Sequence, residues 1–168
     1  MKRLLSILLT GILMLSLVGC GQEAQDPKVS FYYPRAEFNY GASDGVMVPE
    51  THEVPGHIDD LRYLLALYLL GPSDQELRPA FPTDTILVDV IQDEREITVI
   101  LSSNVTALEG IDLTLACACF AETCFAISDV RQVHIESLAS VSGKYVDTII
   151  TRDSILFPGY KILPDDSE

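Results

Sequence analysis

Basic side chains are scarce. The 168 residues include 11 lysines and arginines against 25 aspartates and glutamates, a formal net charge of −14 at pH 7. Phosphate backbones are held by basic surfaces, so this balance excludes nucleic acid as a natural partner and leaves basic proteins or divalent cations. The motifs of nucleophilic and phosphate chemistry are missing as well: there is no Gly-x-Ser-x-Gly, no glycine-rich phosphate loop and no cysteine with a nearby histidine in sequence. Nothing calls for a cofactor, and no catalytic residues stand out. The chain is also too short for two lobes around a cleft, which rules out a solute-binding protein of that kind and allows one domain plus short extras.

The N-terminus is the most apolar stretch. Lys2 and Arg3 precede a run from Leu4 to Val18 relieved only by Ser6, Thr10, Gly11 and Ser16, the layout of a signal peptide over residues 1–19. It closes in Leu17-Val18-Gly19-Cys20, which resembles the lipobox of bacterial lipoproteins. Lipidation of Cys20 is therefore expected, with two acyl chains giving stable attachment to the cell membrane from the extracytoplasmic side. The plainer alternative is a signal peptide followed by an incidental cysteine. Residues 20–27 then form the lipidated N-terminus and a polar tether, 28–138 the folded domain and 139–168 a C-terminal extension.

Within the domain, Val29 to Tyr33 reads as a strand stopped by Pro34, and Arg35 to Gly56 as a long loop in which Val46-Met47-Val48 could form a short extended piece. Ile58, Leu61, Leu65, Tyr68 and Leu69 recur at three- and four-residue steps, with Leu64 widening the stripe, so this segment is a helix with one buried face. Asp59 and Asp60 fall in its expected first turn, and Gly71-Pro72 ends it. Thr85–Ile91 and Glu96–Leu101 read as a hairpin about Asp93-Glu94. A second helix carries Leu113, Cys117, Phe120, Cys124 and Ile127 on its core stripe, with Asp112 as N-cap. Arg131–Leu138 is the next strand, and Tyr145–Thr151 can add one more. The expected class is α+β: a small mixed sheet with two helices on one face, in the order strand, helix, strand, strand, helix, strand, and an optional C-terminal strand.

Several runs resemble the GerMN domain of sporulation and germination lipoproteins. They are Val29-Ser30-Phe31-Tyr32-Tyr33-Pro34, Val48-Pro49-Glu50, and above all Leu64 to Val90 with its Gly71-Pro72 and its Pro82-x-x-Thr85. Thr123 and the run Val130 to Ile135 resemble the second helix and last strand of the same domain. The likeness spans Lys28 to Ser137, enough for a single copy where the family also has tandems. It departs at Ile100-Leu101-Ser102, where the family commonly has an acid before leucine. The resemblance implies a noncatalytic, ring-building-motif-like envelope domain that works through contacts with envelope or sporulation proteins.

Candidate site residues are few. Glu50, His52, Glu53 and His57 are the one dense set of potential metal ligands, but their spacing misses His-Glu-x-x-His and the prolines place them in a loop, so they are weak candidates and a solvated acidic loop is the plainer reading. Cys117 and Cys124 project onto the core stripe while Cys119 projects off it, which argues for buried small side chains over a metal or redox site. His134 falls on the polar face of a strand without an evident partner. Tyr32, Arg35, Phe38 and Tyr40 are the interaction candidates, because alternate members of an aromatic strand face opposite ways. The expected function is a lipid-anchored scaffold or interaction module. The alternative is a metal- or small-ligand-handling envelope lipoprotein, even a hydrolase, using the Glu50–His57 loop.

Overall fold

The computed structural model describes residues 27–37 and 45–154. Strand β1 (Lys28–Pro34) pairs antiparallel with β2 (Met47–Glu53), from Lys28 opposite Glu53 to Pro34 opposite Met47. Helix α1 (Leu61–Leu69) follows, then the hairpin β3 (Leu87–Asp93) and β4 (Glu96–Leu101), helix α2 (Gly110–Ile127), β5 (Gln132–Ser137) and β6 (Asp147–Thr151). The last four strands form a mixed sheet in the order β3-β4-β5-β6. Only β4 and β5 run parallel, and α2 is the crossover that such a pair requires.

The α+β class, the mixed sheet and the two helices stand as expected. What differs is the ribbon. The segment read as loop contains a full strand, β2, and β1 pairs with it rather than entering the mixed sheet. On the helix side, the Tyr32 amide donates to Thr123 Oγ1 of α2 at 2.8 Å, so a side chain satisfies the backbone where a strand would otherwise add.

The buried sides of the elements close on one core. Ile97, Val99, Leu101, Val133 and Ile135 form the inner face of the sheet, and they join Leu64, Leu65 and Tyr68 of α1, Phe120 and Cys124 of α2, and Phe31 and Tyr33 of β1. Helix α1 starts later than its stripe suggested: Asp60 is the N-cap, accepting from the Tyr63 amide at 3.0 Å, and Ile58 lies before it, 39% exposed. Helix α2, by contrast, starts earlier than the expected Asp112 cap: it begins at Gly110, with Glu109 at the cap position and no side-chain cap, so Asp112 sits in the first turn and pairs with Arg78 at 2.8 Å instead.

Helix α2 is long and apolar enough to cross a bilayer by composition. Here it is a core helix, packed against both β1 and β5. Its buried residues include Cys117, Phe120 and Cys124 and also Cys119 and Thr123, so the expectation that Cys119 lies off the core is corrected. Cys119 is one turn before Thr123, on the side that faces β1. A single-stripe projection misses a helix covered on two sides.

Gly71 ends α1 at φ 90°, its amide donating to the Tyr68 carbonyl at 3.0 Å. A Cβ added there would lie 3.1 Å from Pro79 Cγ. Gly71→Ala is expected to cost about 1–2 kcal/mol from the left-handed backbone alone, read as a lower urea midpoint with an unchanged slope. An unchanged midpoint would contradict the assigned cap.

Candidate functional site

The outer face of the mixed sheet is built by the same alternation that buries the inner one. Cross-strand pairing places Ile91, Thr98, His134 and Ile149 in one row. The row on one side is Asp93, Glu96, Gln132 and Thr151, and that on the other is Asp89, Ile100, Glu136 and Asp147. None of the four strands contains a lysine or arginine. Ile91 and Ile149 are 52% and 56% exposed, at opposite edges of the central row. Directly opposed side chains sit about 4.5–5.5 Å apart, so the rows make a continuous surface.

His134 is not alone there. Its Nε2 lies 2.8 Å from Asp147 Oδ1 and its Nδ1 3.3 Å from Glu136 Oε1, a clasp across the β5–β6 pair that is not legible in the sequence because Asp147 comes from the next strand. Asp89 is met from outside the sheet: Arg62 of α1 reaches it at 3.0 Å and donates to the Val88 carbonyl at 2.9 Å. Val88 is the extra residue where the β3–β4 register shifts.

The residues expected to bind or ligate are spread out. Glu50 accepts from the Ser73 and Asp74 amides at 3.0 and 2.9 Å and lies 2.9 Å from His52 Nε2. That carboxylate pins β2 to the start of the loop after α1. The His52 ring packs 4.7 Å from the Phe31 ring, Glu53 pairs with Lys28, and His57 stacks on Tyr63. Among the described residues no group of three or more His, Cys, Asp or Glu is placed to hold a metal ion. Tyr32 is part-buried on β1, its phenol pushed up first by burial and then by Glu122. Arg35 donates from Nε to the Gly45 carbonyl at 3.2 Å. Cys20, Phe38 and Tyr40 lie outside the described residues.

A half-open cleft of about 630 Å³ lies between α2 and the β6 segment, lined by Leu113, Cys117, Ala118, Val146, Asp147 and Ile150 among others. Burial pushes the Cys117 thiol up to about 12, and burial is also the main cause raising Cys119 and Cys124. All three are free and buried. Neutral thiols of this kind are poor nucleophiles and metal ligands.

They also set an alkaline limit. An unfolded thiol ionises near its ordinary value of 9.0, whereas folded Cys117 stays neutral until about 12. Stability from the buried thiols is therefore intact below about pH 9 and falls as pH rises through the interval to about 12. The urea midpoint should drop across that range, and alkylation at neutral pH should require unfolding. A flat profile with thiols that react in the folded state would contradict their burial.

The arrangement defines a small α+β module: two helices, an antiparallel ribbon and a mixed sheet around one core. Its particular form is the GerMN fold. The tandem GerMN domains of the sporulation protein GerM from Bacillus subtilis superpose with a TM-score of 0.58 at 17% identity, over 83% of this chain and 50% of that one. The first GerMN domain of the same protein gives 0.52 at 17% identity, over 74% of this chain and 98% of that one. A Clostridium perfringens structure described as a candidate lipoprotein gives 0.48 at 17% identity, over 82% and 93% of the two chains. This chain thus spans about half the tandem structure, the length of one domain. No family profile and no curated protein matches it.

Proposed function

We propose that this protein is a lipid-anchored extracytoplasmic module that holds another envelope protein, without catalysis, in sporulation or spore germination. The observation that carries the reading is the open outer face of the mixed sheet, where exposed isoleucines lie between rows of carboxylates. Exposed apolar side chains within a polar surround are the usual composition of a protein-contact surface. The lipobox-like Leu17-Val18-Gly19-Cys20 supports the anchor, and the GerMN fold supports the sporulation setting. The competing ligand-handling use of Glu50, His52, Glu53 and His57 loses support, because Glu50 and His52 are bonded into the framework and the other two point to separate partners.

Fractionation tests the anchor. Cys20→Ser should move most of the protein from the membrane to the soluble or unprocessed fraction and abolish incorporation of labelled fatty acid. Unchanged membrane attachment with no fatty-acid label in the parent protein would remove the lipoprotein assignment. For the contact role, crosslinking of the anchored parent in native membranes should recover one protein partner. Metal binding by the parent with loss in His52→Ala would favour the ligand-handling reading.

A further inference from the structure

The sheet's outer face says what chemistry a partner must bring. Its central row has an aliphatic side chain at each edge strand, Ile91 and Ile149, about three strand spacings or 14 Å apart, with Thr98 and His134 between them. Carboxylates flank that row on both sides: Asp93 and Glu96 in one neighbouring row, Asp89, Glu136 and Asp147 in the other. The neighbouring basic side chains do not cancel them. Arg62 engages Asp89, His134 sits between Glu136 and Asp147, and Asp93 and Glu96 have no cationic partner among the described residues.

We propose that this face docks a lysine- or arginine-rich surface of another envelope protein, with Ile91, Ile100 and Ile149 covering its aliphatic groups and Asp93, Glu96, Glu136 and Asp147 pairing with its cations. The inference rests on the contact role proposed above and adds the surface and the charge of the partner. A second copy of this chain is a poor occupant, because two such faces would bring like charges into opposition, which costs several kcal/mol in an interface. An anionic lipid surface is repelled for the same reason. A basic protein gains both from burial of the isoleucines and from electrostatic steering.

A photo-crosslinking residue placed at Thr98, in the centre of the face, and separately at Thr114, in the cleft, tests this in full-length anchored protein in native membranes. Thr98 should give an adduct with a basic protein, and its yield should fall about ten-fold between roughly 50 and 500 mM salt, as screening removes steered attraction. Glu96→Lys with Glu136→Lys should produce a similar loss while leaving the melting curve unchanged. Adducts confined to Thr114 would overturn the face assignment and leave the contact role standing. A salt-insensitive Thr98 adduct, or one joining two copies or the chain's own C-terminus, would overturn the basic-partner inference. No adduct from either position would remove the contact role itself.

Discussion

Leu65→Asp is expected to abolish cooperative unfolding altogether. Leu65 is fully buried on α1, in the core shared with the sheet's inner face and α2. The substitution removes a side chain whose burial is worth roughly 2 kcal/mol and puts in its place a carboxylate with no cation to meet it. Together these effects exceed about 5 kcal/mol, which is the lower end of the whole stability of a domain this size. Circular dichroism should show no sigmoidal melt, and Leu65→Met, which conserves volume, should melt within a few degrees of the parent. A parent-like melt for the aspartate variant would mean that α1 does not pack where it is placed.

Tyr68 should give the next largest effect and a more informative one. Its ring stacks on Tyr33 at 4.7 Å with the planes within 3° of parallel, and it meets Phe31 and Phe120 edge-on. The hydroxyls are exchanged: Tyr33 donates to the Tyr68 carbonyl and Tyr68 donates to the Tyr32 carbonyl, each at 3.0 Å. This pair fastens the ribbon to α1, alongside the Phe31–Tyr68 ring contact and the Glu50 bonds to the Ser73 and Asp74 amides. Tyr68→Ala should cost about 3–5 kcal/mol through the cavity and the lost ring contacts. Tyr68→Phe keeps the ring and strands one part-buried carbonyl, so about 1–2 kcal/mol is expected. Equal losses for the two variants in urea titration would contradict the stacked geometry.

Much of this fold is legible in the chain because local signals agree with the final packing. Gly71-Pro72 ends α1, the Ile97, Val99 and Leu101 alternation gives β4, and the Cys117, Phe120 and Cys124 spacing gives α2. Strand β2 was legible only in its first residues, within the possible extended piece Val46-Met47-Val48. Its sequence, Met-Val-Pro-Glu-Thr-His-Glu, carries polar groups at Glu50 and His52 where aliphatics would mark a strand, and those groups are satisfied by distant amides and by each other. The β3 boundary moved from Thr85–Ile91 to Leu87–Asp93 because the Glu94 turn, at φ 47°, extends the pairing to Asp93 opposite Glu96.

The candidate surface was only half legible. An exposed sheet face follows from period-two alternation in each strand, but the lateral order that sets carboxylates on both sides of Ile91 and Ile149 depends on β6 joining the sheet edge. Isolated residues such as Tyr32 and Arg35 and the weaker Glu50–His57 set draw attention in the sequence; in the fold Glu50 and His52 bond each other and Glu50 accepts from the Ser73 and Asp74 amides, while Arg35 donates to the Gly45 carbonyl. Ile100 stands where the resembling family commonly has an acid. It adds an aliphatic side chain to the acidic outer row, next to Glu136.

The contact role turns on whether the outer face of the sheet holds a protein partner. The most direct measurement is a quantitative pull-down from native membranes, comparing full-length parent with the Glu96→Lys, Glu136→Lys double variant at matched folding and membrane attachment. The account predicts one basic protein recovered with the parent and reduced about ten-fold or more with the variant. Equal recovery from the two, or enrichment of an acidic protein on the parent, would contradict it.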